Sequence, residues 1–243
     1  LGRLNMVNVV QFRDNQTVFS RDREWTDKGF STIGSPGSYR DPNGLWHADP
    51  NCPPDRIQHT PKGDFCRFKY SDFSTELPTL QQLSILNETT FELNSRVKLK
   101  ARAGGTQKSA QWSFAPAPGT FTLNAAAADQ ANLPGHTPGQ PMEVRYRLTD
   151  LGTRDTQVNT LSYNLLLGSV IQLGKGWELD VSASHNNVDN KDEGINGYAL
   201  TQKVTEAIES GACNIFDGSA KRTCLNGTKY RPVETTNSSL TTA

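Results

Sequence analysis

The feature that most constrains this chain is a strict two-residue alternation sustained over long runs. In "SRVKLKARAGG", residues 95 to 105, Val97, Leu99, Ala101 and Ala103 alternate with Lys98, Lys100 and Arg102. Successive side chains of a strand point to opposite faces, so one face here is apolar and the other cationic. Four further segments repeat the pattern. "RLNMVNVVQFRDNQTVF" holds Leu4, Met6, Val10 and Phe12 in phase. "LQQLSILNETTFEL" sets Leu83, Ile85, Phe91 and Leu93 against Ser84, Glu88, Thr90 and Glu92. "TQVNTLSYNLLLGSVIQL" aligns Leu161, Tyr163, Leu165, Leu167, Ile171 and Leu173, and "GWELDVSASHN" aligns Trp177, Leu179, Val181 and Ala183. Most of these runs, with the polar "TQKSAQWSF" that continues the 95–105 segment, reach about 14–18 residues, against a usual strand length of roughly 5–6.

The connections fall into two kinds. "NSR" joins the second and third strands, and "GKG" joins the fourth and fifth as tight hairpin turns. The remaining connections are long: about 60 residues, about 40, and about 40 after the fifth strand, more than compact domains usually leave without structure. One stretch within them is helical in pattern. "YALTQKVTEAIESGACNIF" places Leu200, Val204, Ala207 and Ile208 on one face, with Gly211 as the C-terminal cap.

Composition excludes several classes. The 243 residues carry 25 basic and 25 acidic groups, so the balance is not that of a nucleic-acid binder. Apolar residues make up 35%, too few and too dispersed for a membrane helix, but a barrel strand is only half apolar. The chain opens on Leu1 and closes on the polar "SSLTTA", and is read as a fragment or processed chain. Four cysteines form two close pairs, Cys52 with Cys66 and Cys213 with Cys224, which read as loop-stapling disulfides of an oxidising compartment. A zinc reading is weaker, since there is no C-x-x-C and four histidines are scattered. N-x-S/T triplets at Asn15, Asn87, Asn226 and Asn237 decide nothing in a chain this rich in Asn and Thr.

Two architectures suit the alternation. In a soluble sandwich the apolar face meets a second sheet, and in a membrane barrel it meets lipid. The long strands, with short turns at one end and long loops at the other, favour the second. The expected fold is therefore all-β: antiparallel up-and-down strands forming an open, curved part of a transmembrane barrel wall. It carries long extracellular loops with a short helix, and residues 1–243 form one partial barrel domain. On the polar face Glu88 and Glu92 are placed to meet Lys98, Lys100 and Arg102 across the hairpin. An enzyme is not expected. No nucleophile, phosphate-loop or dinucleotide signature is present. Glu88 and Glu92 lie roughly 13 Å apart at strand rise, too far for a retaining glycosidase pair. His185 ends a strand run without an evident partner, and no cofactor or metal is implied.

Several stretches resemble the TonB-dependent outer-membrane receptors. "TVFSRDREW" (17–25) resembles a barrel strand entering an extracellular loop. "PTLQQLSILNETTFELNSRVKLKARAGGTQKSAQWSFAPAPG" resembles the family's strand, periplasmic turn, return strand and loop opening with "AP". "YALTQKVTEAIESGACNIFDGS" resembles a loop helix ending in the family's G-x-x-N-P-F element, with Ile215 where proline is usual. Neither a plug domain, a TonB box nor the C-terminal aromatic strand is visible, and five or six strands stand against about 22. The resemblance implies an early part of a barrel in the bacterial outer membrane, in contact with its lipid. It implies energised uptake of a scarce solute (a ferric siderophore, cobalamin, haem or an oligosaccharide), with TonB engaged through the missing plug. Two alternatives stand beside it: a secreted, disulfide-stapled β-sandwich that serves as a binding or adhesin module, and a passive porin-type barrel.

Candidate ligand contacts lie in the first long loop. "SPGSYRDPNGLWHADPNC" offers Tyr39, Trp46 and His47 for stacking and hydrogen bonding, and loop packing around a disulfide is the competing role. Trp112 and Trp177, near strand ends, are expected in an aromatic girdle at the membrane interface.

Overall fold

The computed structural model describes residues 3–217, 224, 225 and 228. Five long strands form an antiparallel meander: β1 (Leu4–Asn15), β2 (Thr79–Asn94), β3 (Val97–Phe114), β4 (Arg154–Gly174) and β5 (Trp177–Asn196). They pair in sequence order and form an open sheet, not a closed barrel. The outer edges of β1 and β5 are the two ends of that sheet. Tight turns join β2 to β3 and β4 to β5. At the first, Asn94 Oδ1 accepts the amides of Arg96 and Val97, and at the second Gly174, Lys175 and Gly176 all adopt positive φ. All the long connections leave from the opposite end.

The register sorts the side chains as the alternation requires. Leu4 pairs with Phe91, Phe91 with Leu99, and Phe12 with Leu83, while Ala101 pairs with Leu167 and Ile171 with Leu179. One face of all five strands is thus predominantly apolar. It remains bare: Leu161 is 53% exposed, Tyr163 41%, Leu165 48% and Leu167 69%. The described residues place no second sheet over it.

The long connections are not structureless. They build a second body at the loop end of the sheet. Its core is a six-stranded sheet with spatial order Pro118–Leu123, Met142–Arg147, Ser38–Arg40, Trp46–Ala48, Gly63–Cys66 and Ile57–Thr60. Two helices, α1 (Ala125–Ala131) and α2 (Thr201–Glu209), pack on it. Tyr39, Phe121, Leu123, Val144 and Tyr146 from the sheet meet Ala127 and Ala128 of α1 and Val204 and Ile208 of α2 in one core. The helix expected around 198–216 is therefore present, with Val204 and Ile208 buried as its apolar face requires. Gly211 follows it at φ +79°, and a Cβ there would lie 2.9 Å from the Ala127 side chain. Glycine thus serves both the left-handed turn and the close approach of α1.

Both expected disulfides are formed, Cys52–Cys66 and Cys213–Cys224. The first joins the chain before Ile57–Thr60 to the end of Gly63–Cys66. The second ties the chain after α2 to Cys224, whose neighbour Leu225 is wholly buried in the core. Of the Asn-x-Ser/Thr triplets, those at Asn226 and Asn237 lie outside the described residues.

Candidate functional site

Three surfaces carry chemistry. The first is the apolar face. Its runs span nine residues on β1 (Leu4–Phe12), eleven on β2 (Leu83–Leu93), nine on β3 (Val97–Gly105), thirteen on β4 (Leu161–Leu173) and nine on β5 (Trp177–His185). Toward the loop end the same face becomes an amide and hydroxyl belt of Gln81, Gln107, Ser109 and Asn159. A few polar groups interrupt the apolar band, Ser169 among them, and three of them bond to one another. Asn87 Nδ2 donates to Asn8 Oδ1 at 2.7 Å, and Thr89 Oγ1 donates to Asn87 Oδ1 at 3.0 Å. His185 has a partner after all: its ring lies 5.8 Å from that of Tyr163. Trp177, 72% exposed, sits at the turn end of this face. Trp112 does not. Its even position on β3 puts it with Lys98 and Arg102 on the other side of the sheet, away from any girdle.

The second surface is the polar face. Arg102 Nη2 reaches Glu88 at 3.2 Å and Lys98 Nζ reaches Glu92 at 3.5 Å, as the hairpin spacing predicts. Lys100 departs from that expectation. It passes over β4 to Asp180 of β5 at 2.8 Å. The residue opposite Lys100 on β4 is Gly168, whose lack of a side chain opens the route. A Cβ at 168 would lie 2.9 Å from the Ser182 Cβ, so this gap is closed to other residues without movement. Uncharged pairs continue the ladder toward the loop end: Ser84 with Thr106, Asn164 with Asn186, and Thr160 with Asn190. Val9 and Leu86 form an apolar patch within it, above Gly104.

The third surface is the cap. Tyr39 and His47 face each other across paired strands, rings stacked at 5.4 Å. Tyr39 is only 2% exposed, and its hydroxyl donates to the Pro134 carbonyl at 2.9 Å. Burial, with the Asp49 and Asp41 carboxylates nearby, raises its hydroxyl pKa above the ordinary tyrosine value. Trp46 is 5% exposed, against Phe65 at 5.4 Å and beneath the Arg145 guanidinium at 4.2 Å. Both rings therefore act in packing next to the Cys52–Cys66 staple, the role that competed with ligand capture. Of the three expected contacts, only His47 presents a substantial open edge, and its Nε2 is engaged with Asp41 Oδ2 at 3.0 Å.

Two features of the cap had no counterpart in the sequence reading. Arg147 is buried, yet joins three strands of loop: its amide and Nε donate to Gly34 and Ile33 carbonyls, and its Nη1 donates to the Pro116 carbonyl at 2.7 Å. Its ring partner is Phe68, 4.7 Å away. Burial, and then the nearby Arg154 charge, pulls its pKa down to about 10, so it stays protonated at neutral pH. The other is a cleft of about 490 Å³ between Arg40–Gly44 and His136–Glu143, at the seam where the first and second long connections meet. No protein-family model, curated protein or solved structure matches the chain.

Proposed function

We propose that the chain is an arc of an outer-membrane β-barrel wall with its extracellular cap, belonging to a receptor that takes up a scarce solute in a TonB-energised manner. One observation carries the membrane reading: a bare, predominantly apolar band 9–13 residues tall on every strand. A tilted strand needs roughly 9–11 residues to cross a bilayer's hydrocarbon core, and the band reaches that length on every strand. The strands themselves run to 21 residues, and their excess projects toward the loops. The placement of tight turns at one end and a disulfide-stapled cap at the other agrees with periplasmic turns and extracellular loops. A secreted sandwich needs a second sheet over Leu161 to Leu167, and the described residues supply none. Five strands leave two unpaired edges, so the reading also requires further wall strands on either side.

The receptor and energised-uptake parts rest on the family resemblance, and they are tested in cells. With all four cysteines in disulfides, a cysteine placed at the exposed His59 of the cap is the sole free thiol among the described residues. In intact cells making the full encoded protein, a membrane-impermeant maleimide should label it. Uptake of the cognate solute should cease when the inner-membrane energiser is deleted. Uptake that persists without the energiser identifies a passive porin, and a cap reached only after the cells are opened reverses the orientation.

A further inference from the structure

We infer that the cleft between Arg40–Gly44 and His136–Glu143 is a binding site for a neutral, hydroxyl-rich solute, an oligosaccharide. The inference rests on the uptake reading and narrows its solute class. At about 490 Å³ the cleft falls within the roughly 300–1,000 Å³ usual for small-molecule sites. It exists only because two separate connections co-fold. Arg40 ends the strand Ser38–Arg40, Glu143 lies on the neighbouring strand Met142–Arg147, and Arg40 Nη1 holds Glu143 Oε2 at 3.2 Å across the seam.

The charges in this cleft already have partners. Arg40, the sole Lys or Arg in its lining, is further fixed by Nε donating to the Gly44 carbonyl at 3.1 Å. Asp41 accepts from the Leu45 amide at 2.8 Å and is bonded to His47. The His47 contact first, and then the backbone amides of Leu45 and Asn43, hold its carboxyl below the usual range, so it stays ionised. His136 is bound to Asp129 at 2.7 Å. No uncompensated cation remains to attract an anionic iron chelate. What remains available is neutral hydrogen bonding. The exposed amides of Asn43 and Gln140 stand on opposite banks, and neither side chain bonds to a described residue. Each amide offers two donors and an acceptor, which matches a hydroxyl that must both donate and accept. Pro42 and Pro141 supply apolar C–H surface beside them, and the Arg40–Glu143 ion pair ties the two banks together.

The test uses the full encoded protein in liposomes, as wild type and as the double variant Asn43→Ala/Gln140→Ala. Binding of maltoheptaose, cellohexaose, xylohexaose and a ferric catecholate is measured by calorimetry, and a fluorophore at Leu167 reports lipid contact in the same samples. The inference predicts that at least one neutral oligosaccharide binds and that the double variant weakens it about tenfold or more with unchanged thermal stability. It is overturned if none of the three sugars binds, if the double variant binds as wild type does, or if the catecholate alone binds and is lost in the variant. Lipid contact at Leu167 with no sugar binding removes the solute class and leaves the barrel reading standing. Loss of lipid contact removes the barrel reading itself.

Discussion

At the scale of single residues, two side chains decide how the parts are held. Arg147 satisfies carbonyls from both long connections inside a buried site. Arg147→Met keeps much of its apolar stem but leaves the Ile33 and Pro116 carbonyls without their donor. A cost of about 2–4 kcal/mol is expected, read as a lower denaturant midpoint of Trp46 fluorescence with the long strands unchanged. Gly168 decides the path of Lys100. Gly168→Leu should break the Lys100–Asp180 contact and push β4 from β5 near Ser182, seen as loss of amide-exchange protection confined to that row. None of this was legible in the sequence. The hairpin places Glu88 and Glu92 beside β3 through local spacing, but Asp180 meets Lys100 only once the β3–β4 and β4–β5 registers are both fixed. Acid provides a third residue-scale prediction. The His136 hydrogen bond, and then the Gly139 amide, hold the Asp129 carboxyl below the usual range, as His47 does first for Asp41. A lowered carboxyl pKa contributes stability that is complete above the unfolded value and lost as pH falls through the folded one. The Gly139 and Leu45 amides should therefore keep their protection from pH 8 to 5 and lose it below about pH 4. Protection lost already near pH 6 contradicts this assignment.

At the scale of elements, legibility follows the contrast between faces. β2, β3 and β4 were visible because apolar and polar residues alternate along most of their length. β5 runs ten residues further than its apolar pattern, through "NVDNKDEGIN" to Asn196, because its partner β4 continues there and both faces are polar. Cap strands of three to six residues carry too few periods to announce themselves. Helix α1 does carry a sequence signal. Asn124 Oδ1 caps the Ala127 amide at 2.8 Å, four alanines follow, and Asn132 closes the helix in the left-handed region. The candidate site was legible only in part. "SYRDPNGLWH" supplies one bank of the proposed cleft, but Tyr39 and Trp46 turn inward because strand pairing buries them, and Gln140 comes from a different connection altogether. The Cys52–Cys66 staple closes a loop of 14 residues, for which chain-entropy arguments give about 3 kcal/mol. Replacing both cysteines with serine should lower cap stability by about that amount while the far-ultraviolet signal of the long sheet persists.

At the scale of the whole molecule, the two bodies differ in how they treat their apolar side chains. The cap buries its own core of sheet and helices, as a water-soluble fold does. The long sheet buries almost nothing on its apolar side. With five strips each about 4.8 Å wide and apolar runs of about 27–41 Å, the bare area is on the order of 750 Å² in projection, above the roughly 300–600 Å² of the largest patch on a typical soluble monomer. Under the proposed membrane reading hydrocarbon would cover this face, and the Asn8–Asn87–Thr89 hydrogen bonds would lower the cost of three of its polar interruptions there. The most direct measurement is depth-resolved quenching in the full encoded protein in liposomes. Single fluorophores are placed at Leu165, Leu167 and Val181 on one face, and at Lys100, Asn164 and Ser184 on the other, with lipids brominated along their chains. Strong quenching of the first three and little of the second three is the predicted result. Equal quenching of both sets, or protection of Leu165 and Leu167 from lipid, contradicts the membrane-wall account.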